Sequence, residues 1–175
     1  MANRLYVKIK DQNGQNIEVK EAKKGRGAEA YGFETALRIP VDKKTGLPMS
    51  TRQYAETVFY KSIDRSSPLI KQYMCESIKV PELMVFIYEF EENGKEKLSY
   101  QVKFEEVTFT GKEIIIANAF SKEGLESPAM EKISFVAEGI TEIYLLDGHM
   151  AYKDCYKEGD LMANVTSGAA TAAAA

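Results

Sequence analysis

The stretch LYVKIKDQNG, residues 5–14, has apolar side chains at every second position over residues 5–9 and ends in Asn13-Gly14. Period-two alternation is typical of a β-strand with one buried face. Asn and Gly tolerate the positive φ that tight hairpin turns need. The stretch therefore predicts a strand and a hairpin turn, after which Ile17 and Val19 resume the alternation in a returning strand.

The same alternation recurs along the chain. Apolar side chains at residues 31–39 predict another strand, which Pro40 ends, and a long polar loop follows over residues 41–53 with its turn at 42–46. Asn93-Gly94 predicts a second tight turn. Further strands are predicted at residues 54–62, 82–92, 97–110 and 130–146.

One segment predicts a helix. In residues 64–68, DRSSP, Ser67 can accept a backbone N–H bond as a cap and Pro68 suits a first helical position. Apolar side chains then follow at helical spacing on one face: Leu69, Ile70, Tyr73 and Met74. Many alternating strands with a single helix favour a β-barrel or a curled sandwich over a parallel α/β sheet.

Length and composition indicate one globular domain. The chain has 175 residues and a net charge of −3, so nothing in its electrostatics favours nucleic acid or an anionic membrane as a partner. No apolar run approaches the ~20 residues that span a bilayer, so we expect no membrane insertion. The start lacks the apolar core of a signal peptide, and we expect synthesis in the cytoplasm without a cleaved leader. We assign residues 1–159 to the domain, and the Ala-rich residues 160–175 to a flexible tail.

Side chains for catalysis or metal binding are sparse. His149 is the single histidine and lies in a turn-like string, so a solvated side chain is its simplest interpretation. Cys75, expected on the helix, and Cys155 are interpreted as free thiols. Several carboxylates are interpreted as solvated strand faces rather than acid–base groups: Glu89, Glu91, Glu92, Glu105 and Glu106. We predict no enzyme activity, no metal and no cofactor.

Five segments in the same order resemble the haemolysin-coregulated protein (Hcp) family of type VI secretion. SIDRSSPLI, residues 62–70, is similar to the segment that enters the single helix of these proteins. LRIPVDKKTGLP, residues 37–48, resembles the long loop of one branch of the family. Three further segments resemble its strands: LYVKI at 5–9, YQVKFEEV at 100–107 and KISFVAEGITEIY at 132–144.

The resemblance implies a mainly β fold, an antiparallel β-barrel with one flanking α-helix. It also implies a homohexameric ring, whose stacking forms the inner tube of a contractile injector. The implied partners are further copies of the chain, a spike protein, a contractile sheath and effector cargo, with export through the type VI apparatus. In related proteins an extended loop reaches a neighbouring subunit or ring, which places the subunit interface here at Lys43, Lys44, Thr45, Gly46, Leu47 and Pro48.

Two other functions remain open on the sequence. One is a monomeric β-barrel module that binds a small ligand or peptide in the barrel or at a free strand edge. The other is a small hydrolase that uses Glu89 or His149. A six-fold assembly distinguishes the tube subunit from the monomeric module.

Overall fold

The computed structural model describes residues 3–17, 26–49, 52–91, 94–117, 129–146 and 149–155. Within these residues the chain forms nine strands and one helix. In chain order they are β1 (Arg4–Lys10), β2 (Ala28–Glu34), β3 (Leu37–Arg38), β4 (Gln53–Tyr54), β5 (Thr57–Ser62), α1 (Ser66–Cys75), β6 (Val80–Phe90), β7 (Glu96–Ile115), β8 (Met130–Tyr144) and β9 (Met150–Cys155).

Six antiparallel strands close into a barrel. Their order is β5-β2-β1-β6-β7-β8, and pairing between β5 and β8 closes the ring. Residues 130–135 of β8 pair with β5, whereas residues 139–144 pair with β9 along the same edge. Strand β9 therefore lies outside the closed ring, directly beyond the point where β5 begins.

Apolar side chains fill the interior, as expected for a small barrel. Phe135 lies at the centre, and its ring meets that of Phe104 edge-on at a centroid distance of 4.9 Å and that of Phe59 at 6.0 Å. All three rings are fully buried. The barrel core is therefore a solid packing of aromatic and branched side chains, among them Val7, Leu83, Val85, Val102, Val107 and Ile133.

A cluster of buried charges lies where β5, β7, β8 and α1 meet. Lys61 and Glu131 are 1% and 0% exposed, and the Lys61 Nζ lies 2.7 Å from Glu131 Oε1 and 2.8 Å from Asp64 Oδ1. Lys112 Nζ lies 3.0 Å from Glu131 Oε2. Ser67 Oγ donates to Glu131 Oε1 at 2.8 Å, and Lys112 Nζ donates to the Ser67 carbonyl at 2.5 Å. The two ammonium and two carboxylate groups balance, and they fasten the first turn of α1 to three strands.

The start of α1 differs from its prediction. Asp64 Oδ1 accepts the Ser66 N–H at 2.8 Å, and Ser67 Oγ in turn accepts the Asp64 N–H at 3.0 Å. The helix begins at Ser66, so the assignment of Ser67 as the cap and Pro68 as the first position was wrong. The carboxylate of Asp64 accepts the free Ser66 N–H, and Pro68 is tolerated in the first turn because its missing N–H needs no partner.

The apolar face of α1 lies as predicted except at Leu69, which is only partly buried and is not part of the core cluster. Ile70 is fully buried, and Tyr73 and Met74 pack against the barrel core. Cys75 ends the helix, and both it and Cys155 are exposed free thiols, which confirms that prediction. Within the described part of the chain, no helix is long and apolar enough to cross a membrane.

The strand predictions hold with adjusted bounds. The turn after β1 forms, with Gly14 at a φ of 75°, but Ile17 belongs to no strand and Val19 lies outside the described residues. The strand predicted at 31–39 divides into β2 and β3, and the one predicted at 54–62 divides into β4 and β5. Around the second predicted turn the Glu91 N–H bonds to the Lys95 carbonyl, and Asn93 itself lies outside the described residues. The sequence did not predict β9.

We predict that Glu131→Ala lowers the free energy of unfolding by about 3–5 kcal/mol, because it leaves buried Lys61 without its main partner. Urea titration followed by circular dichroism measures the change. The matched control is Glu113→Ala, which removes a carboxylate that is 68% exposed and should change stability by less than about 0.5 kcal/mol. Equal effects of the two substitutions would contradict a structural role for the buried cluster.

Candidate assembly surface

A hairpin leaves the barrel between β2 and β5, and we call it the arm (residues 37–49 and 52–54). At its root Leu37 pairs with Tyr54 and Arg38 with Gln53. Further out Val41 pairs with Pro48, and the Met49 N–H donates to the Pro40 carbonyl at 2.7 Å. The polar loop predicted at residues 41–53 is therefore wrong in part, because Val41, Pro48 and Gln53 within it are paired.

The tip of the arm is a defined turn. The Gly46 N–H donates to the Asp42 carbonyl at 2.8 Å, and the Asp42 side chain accepts the Lys44 N–H at 2.7 Å. Gly46 has a φ of 69°, a conformation that side-chain-bearing residues rarely adopt. The predicted turn at residues 42–46 is confirmed. The six predicted interface residues, 43–48, lie together at this tip and are all exposed.

Apolar side chains of the arm point into solvent. Each of five is more than half exposed, and we call them the apolar strip: Leu37, Ile39, Val41, Leu47 and Met49. Exposed apolar patches on a folded domain are typical of protein contact sites. Because Val41 pairs with Pro48, the residues on either side of Pro48 lie on the opposite face of the arm from Val41, so both faces carry exposed apolar side chains. The strip thus extends the candidate surface from the tip down to the root of the arm.

Asp154 of β9 contacts the root of the arm. Its carboxylate receives two hydrogen bonds from the Arg52 guanidinium, the Nε bond at 2.6 Å, and one from the Tyr54 hydroxyl. Arg52 also donates to the Cys155 carbonyl at 3.3 Å. Burial and the hydrogen bond to Asp154 raise the pKa of the Tyr54 phenol. We call this group the clamp (Arg52, Tyr54 and Asp154).

A ladder of alternating charges crosses the outer face of the barrel. Glu82 and Glu105 lie directly opposite each other on β6 and β7, a repulsive placement. The Lys103 Nζ lies between them, 3.2 Å from Glu82 and 3.0 Å from Glu105, and offsets their repulsion. Lys10 extends the ladder to β1, its Nζ 2.5 Å from Glu82 Oε1. Lys153 extends it to β9, its Nζ 2.6 Å from Glu105 Oε2.

The ladder reaches β9 because one position on β8 has no side chain. Gly139 lies opposite both Glu105 and Cys155. A Cβ atom at residue 139 would lie 3.1 Å from Glu105 Oε2, which is tighter than ordinary contact. Because Gly139 has no side chain, there is space beside it for Lys153 and Glu105 to form their ion pair.

The carboxylates of the ladder are held in their charged form. The hydrogen bond from Lys153, together with Lys103, lowers the pKa of Glu105 despite partial burial. Burial alone would raise the pKa of Glu82, but hydrogen bonds from Lys10 and Lys103 outweigh it, and the pKa is lowered. The solvated-face interpretation of Glu105 was therefore wrong, because its side chain is paired, whereas Glu106 is exposed.

The other candidate groups lie apart from the arm. His149 is exposed immediately before β9, and Glu89 is exposed on β6 opposite Lys97. Glu91 follows β6 in a turn, and Glu92 lies outside the described residues. Among the residues that the structure describes, no three His, Cys, Asp or Glu side chains form a group that could hold a metal ion.

Together these features define the class of the protein: an antiparallel β-barrel with one docked helix, a filled interior and a projecting arm that carries exposed apolar side chains. Residues 6–144 match the family described as type VI secretion system effector, Hcp. The chain belongs to this Hcp family, as its sequence resemblance predicted. A comparison with curated proteins gave no match.

Solved structures of Hcp proteins share the fold. A crystal structure of an Hcp protein is 20% identical with a TM-score of 0.81, over 90% of this chain and 100% of the other. A doubly substituted Hcp1 from E. coli EAEC 042 is 24% identical with a TM-score of 0.77, over 89% and 99%. The secreted Hcp3 from Pseudomonas aeruginosa is 15% identical with a TM-score of 0.68, over 90% and 100%. The predicted barrel with one helix is confirmed.

We predict that, because of the ladder, the protein loses stability at acid pH. A carboxyl group with a lowered pKa contributes stability above its unfolded pKa, near 4.3, and that contribution is lost as the pH falls through the folded value. The free energy of unfolding should therefore decrease below about pH 4. Glu105→Gln should lose part of this decrease, whereas Glu113→Gln should keep it. Urea titrations at pH 7 and pH 3 test this, and an unchanged pH difference in Glu105→Gln would contradict it.

Proposed function

We propose that the protein is a structural subunit of the type VI secretion inner tube, which forms hexameric rings that stack and carry or deliver effectors. The observation that carries the proposal is the arm: a projecting, paired hairpin whose five apolar side chains are each more than half exposed. Membership of the Hcp family supplies the secretion context. The partners that follow are further copies of the chain and, beyond them, spike, sheath and effector proteins.

Self-association through the arm is of the head-to-tail kind. The arm is one patch, and the surface that receives it on a neighbouring copy is a different patch. Repeated contacts of this type close into a ring when the rotation between copies permits, and otherwise they form an open filament. Both a ring and a stack of rings are built from such contacts.

The filled interior disfavours the first alternative, a module that binds a ligand inside its barrel. Phe59, Phe104 and Phe135 occupy the centre and are fully buried. A binding cavity for a small molecule is typically several hundred Å³ and lined by polar groups at chosen points. A hydrolase is disfavoured by the chemistry of its two candidates, because Glu89 and His149 are both exposed side chains. We infer a structural role and secretion through the type VI apparatus.

We predict that shortening the arm weakens assembly without unfolding the barrel. A two-residue Asn-Gly turn can replace residues 41–48, because the Met49 N–H already bonds to the Pro40 carbonyl at that point. The parent should show a six-fold mass by native mass spectrometry, and the shortened chain should need at least about tenfold higher concentration to assemble. Circular dichroism should show the same folded barrel in both.

A matched control tests whether assembly depends on the arm itself or on exposed apolar side chains anywhere on the protein. Leu47→Ser with Met49→Ser changes the apolar strip, and Ile114→Ser changes an equally exposed side chain on β7. The strip variant should lose assembly and the β7 variant should retain it. A parent protein that remains a monomer would refute the proposed function and favour the binding module.

We also predict that assembly needs no catalytic group and no metal. His149→Ala and Glu89→Gln should assemble at the parent concentration, because both side chains are exposed and stand apart from the arm. A chelator should leave the melting temperature unchanged, since a structural metal contributes folding free energy directly. A His149→Ala protein that assembles normally but loses a hydrolytic activity of the parent would overturn the structural role.

A further inference from the structure

We propose that Asp154 is a positioning residue that holds the arm in the orientation it presents to a second copy of the chain, so that β9 and the arm act as one unit. The inference rests on the proposed function for what the arm contacts. The way in which the arm is held is argued from the contacts of the clamp alone. The two chain segments that meet there are 102 residues apart in sequence.

The clamp has the geometry of a strong contact. The carboxylate of Asp154 is largely buried, its side chain 9% exposed, and it receives two N–H groups of one planar guanidinium. Charge-assisted bidentate pairs of this kind fix direction as well as distance. The Tyr54 hydroxyl adds a third donor. Removing the carboxylate charge therefore weakens the contacts of both Arg52 and Tyr54 at once.

The other contacts at the root join neighbouring parts of the same hairpin. The Ala55 N–H donates to the Ala36 carbonyl at 2.9 Å, and the hydroxyl groups of Thr35 and Thr57 lie 3.3 Å apart. These contacts keep the two chains of the hairpin together. The clamp adds a tie from the returning chain of the hairpin to β9, which sets its direction, so loss of the clamp lets that chain leave β9 and lets the hairpin open more often.

Coupling of this kind acts in both directions. Strand β9 pairs along one edge with residues 139–144 of β8, and most of its side chains are exposed. A second copy that binds the arm and stabilises its orientation must, by thermodynamic linkage, also stabilise β9. Loss of the clamp should loosen the arm and β9 together.

Limited trypsin digestion of the full chain tests this, because Lys43 and Lys44 lie exposed at the tip. Cleavage of a transiently opened segment follows the population of its open form. Asp154→Asn should raise the initial rate at Lys43 and Lys44 about tenfold, as expected for loss of a charge-assisted hydrogen bond. The rate after Lys71 on α1 should not change. Glu113→Gln is the control, since it removes an exposed carboxylate far from the arm in sequence.

Two further measurements test the coupling itself. Asp154→Ala and Arg52→Ala should each raise the rate at Lys43 and Lys44, and the double variant should be no faster than the faster single variant. Hydrogen exchange of the β9 amides should rise in Arg52→Ala, although that substitution lies in the arm. A structural defect of the barrel would instead raise exchange and cleavage throughout the chain.

The outcomes separate the clamp from the proposed function. An unchanged rate at Lys43 and Lys44 in Asp154→Asn overturns the inference, and so does a rise that is equal at every site. If the parent assembles, Asp154→Asn should need about tenfold higher concentration to do so, in line with its looser arm, and unaltered assembly would overturn the positioning role. A parent that never assembles refutes the proposed function, while the digestion rates still decide whether the clamp holds the arm.

Discussion

The architecture depends on one requirement, that Lys61 and Glu131 remain paired inside the barrel. They lie side by side in the register of β5 and β8, the two strands whose pairing closes the barrel. A buried charge without a partner is expensive, so the closure holds only in the register that brings these groups together. Lys112 and Ser67 add β7 and α1 to the same cluster. One network thus couples barrel closure to docking of the helix.

The parts that the sequence predicted are those set by local pattern. Alternation over residues 5–9 and 132–144 indicated β1 and β8, because every second residue is buried at 7 and 9 in β1 and at 131, 133 and 135 in β8. The turns at Gly14 and Gly46 followed from residues that tolerate positive φ. Strand β7 extends to Ile115, beyond the predicted end, because a register shift near Gly111 lets it continue pairing with β8.

The parts that the sequence missed depend on distant segments. Strand β9, MAYKDC, alternates too weakly to be recognised, and its pairing is set by the edge of β8 left open beyond β5. The clamp joins Arg52 to Asp154, and no spacing or motif links residues so far apart. The tip at residues 43–48 was predicted from a family resemblance, whereas the exposure of the apolar strip and the attachment of the arm to β9 depend on the tertiary structure.

The bare position at Gly139 has a consequence for how this sequence can vary. An alanine there would cost little to the pairing of β8 itself, yet its methyl group would press on Glu105 of the neighbouring strand. The tolerance of residue 139 to substitution is therefore set by the Glu105 side chain on β7, which pairs with Lys153 of β9, and not by its own backbone. A substitution at this position on β7, β8 or β9 therefore restricts which residues the other two strands can accept beside it.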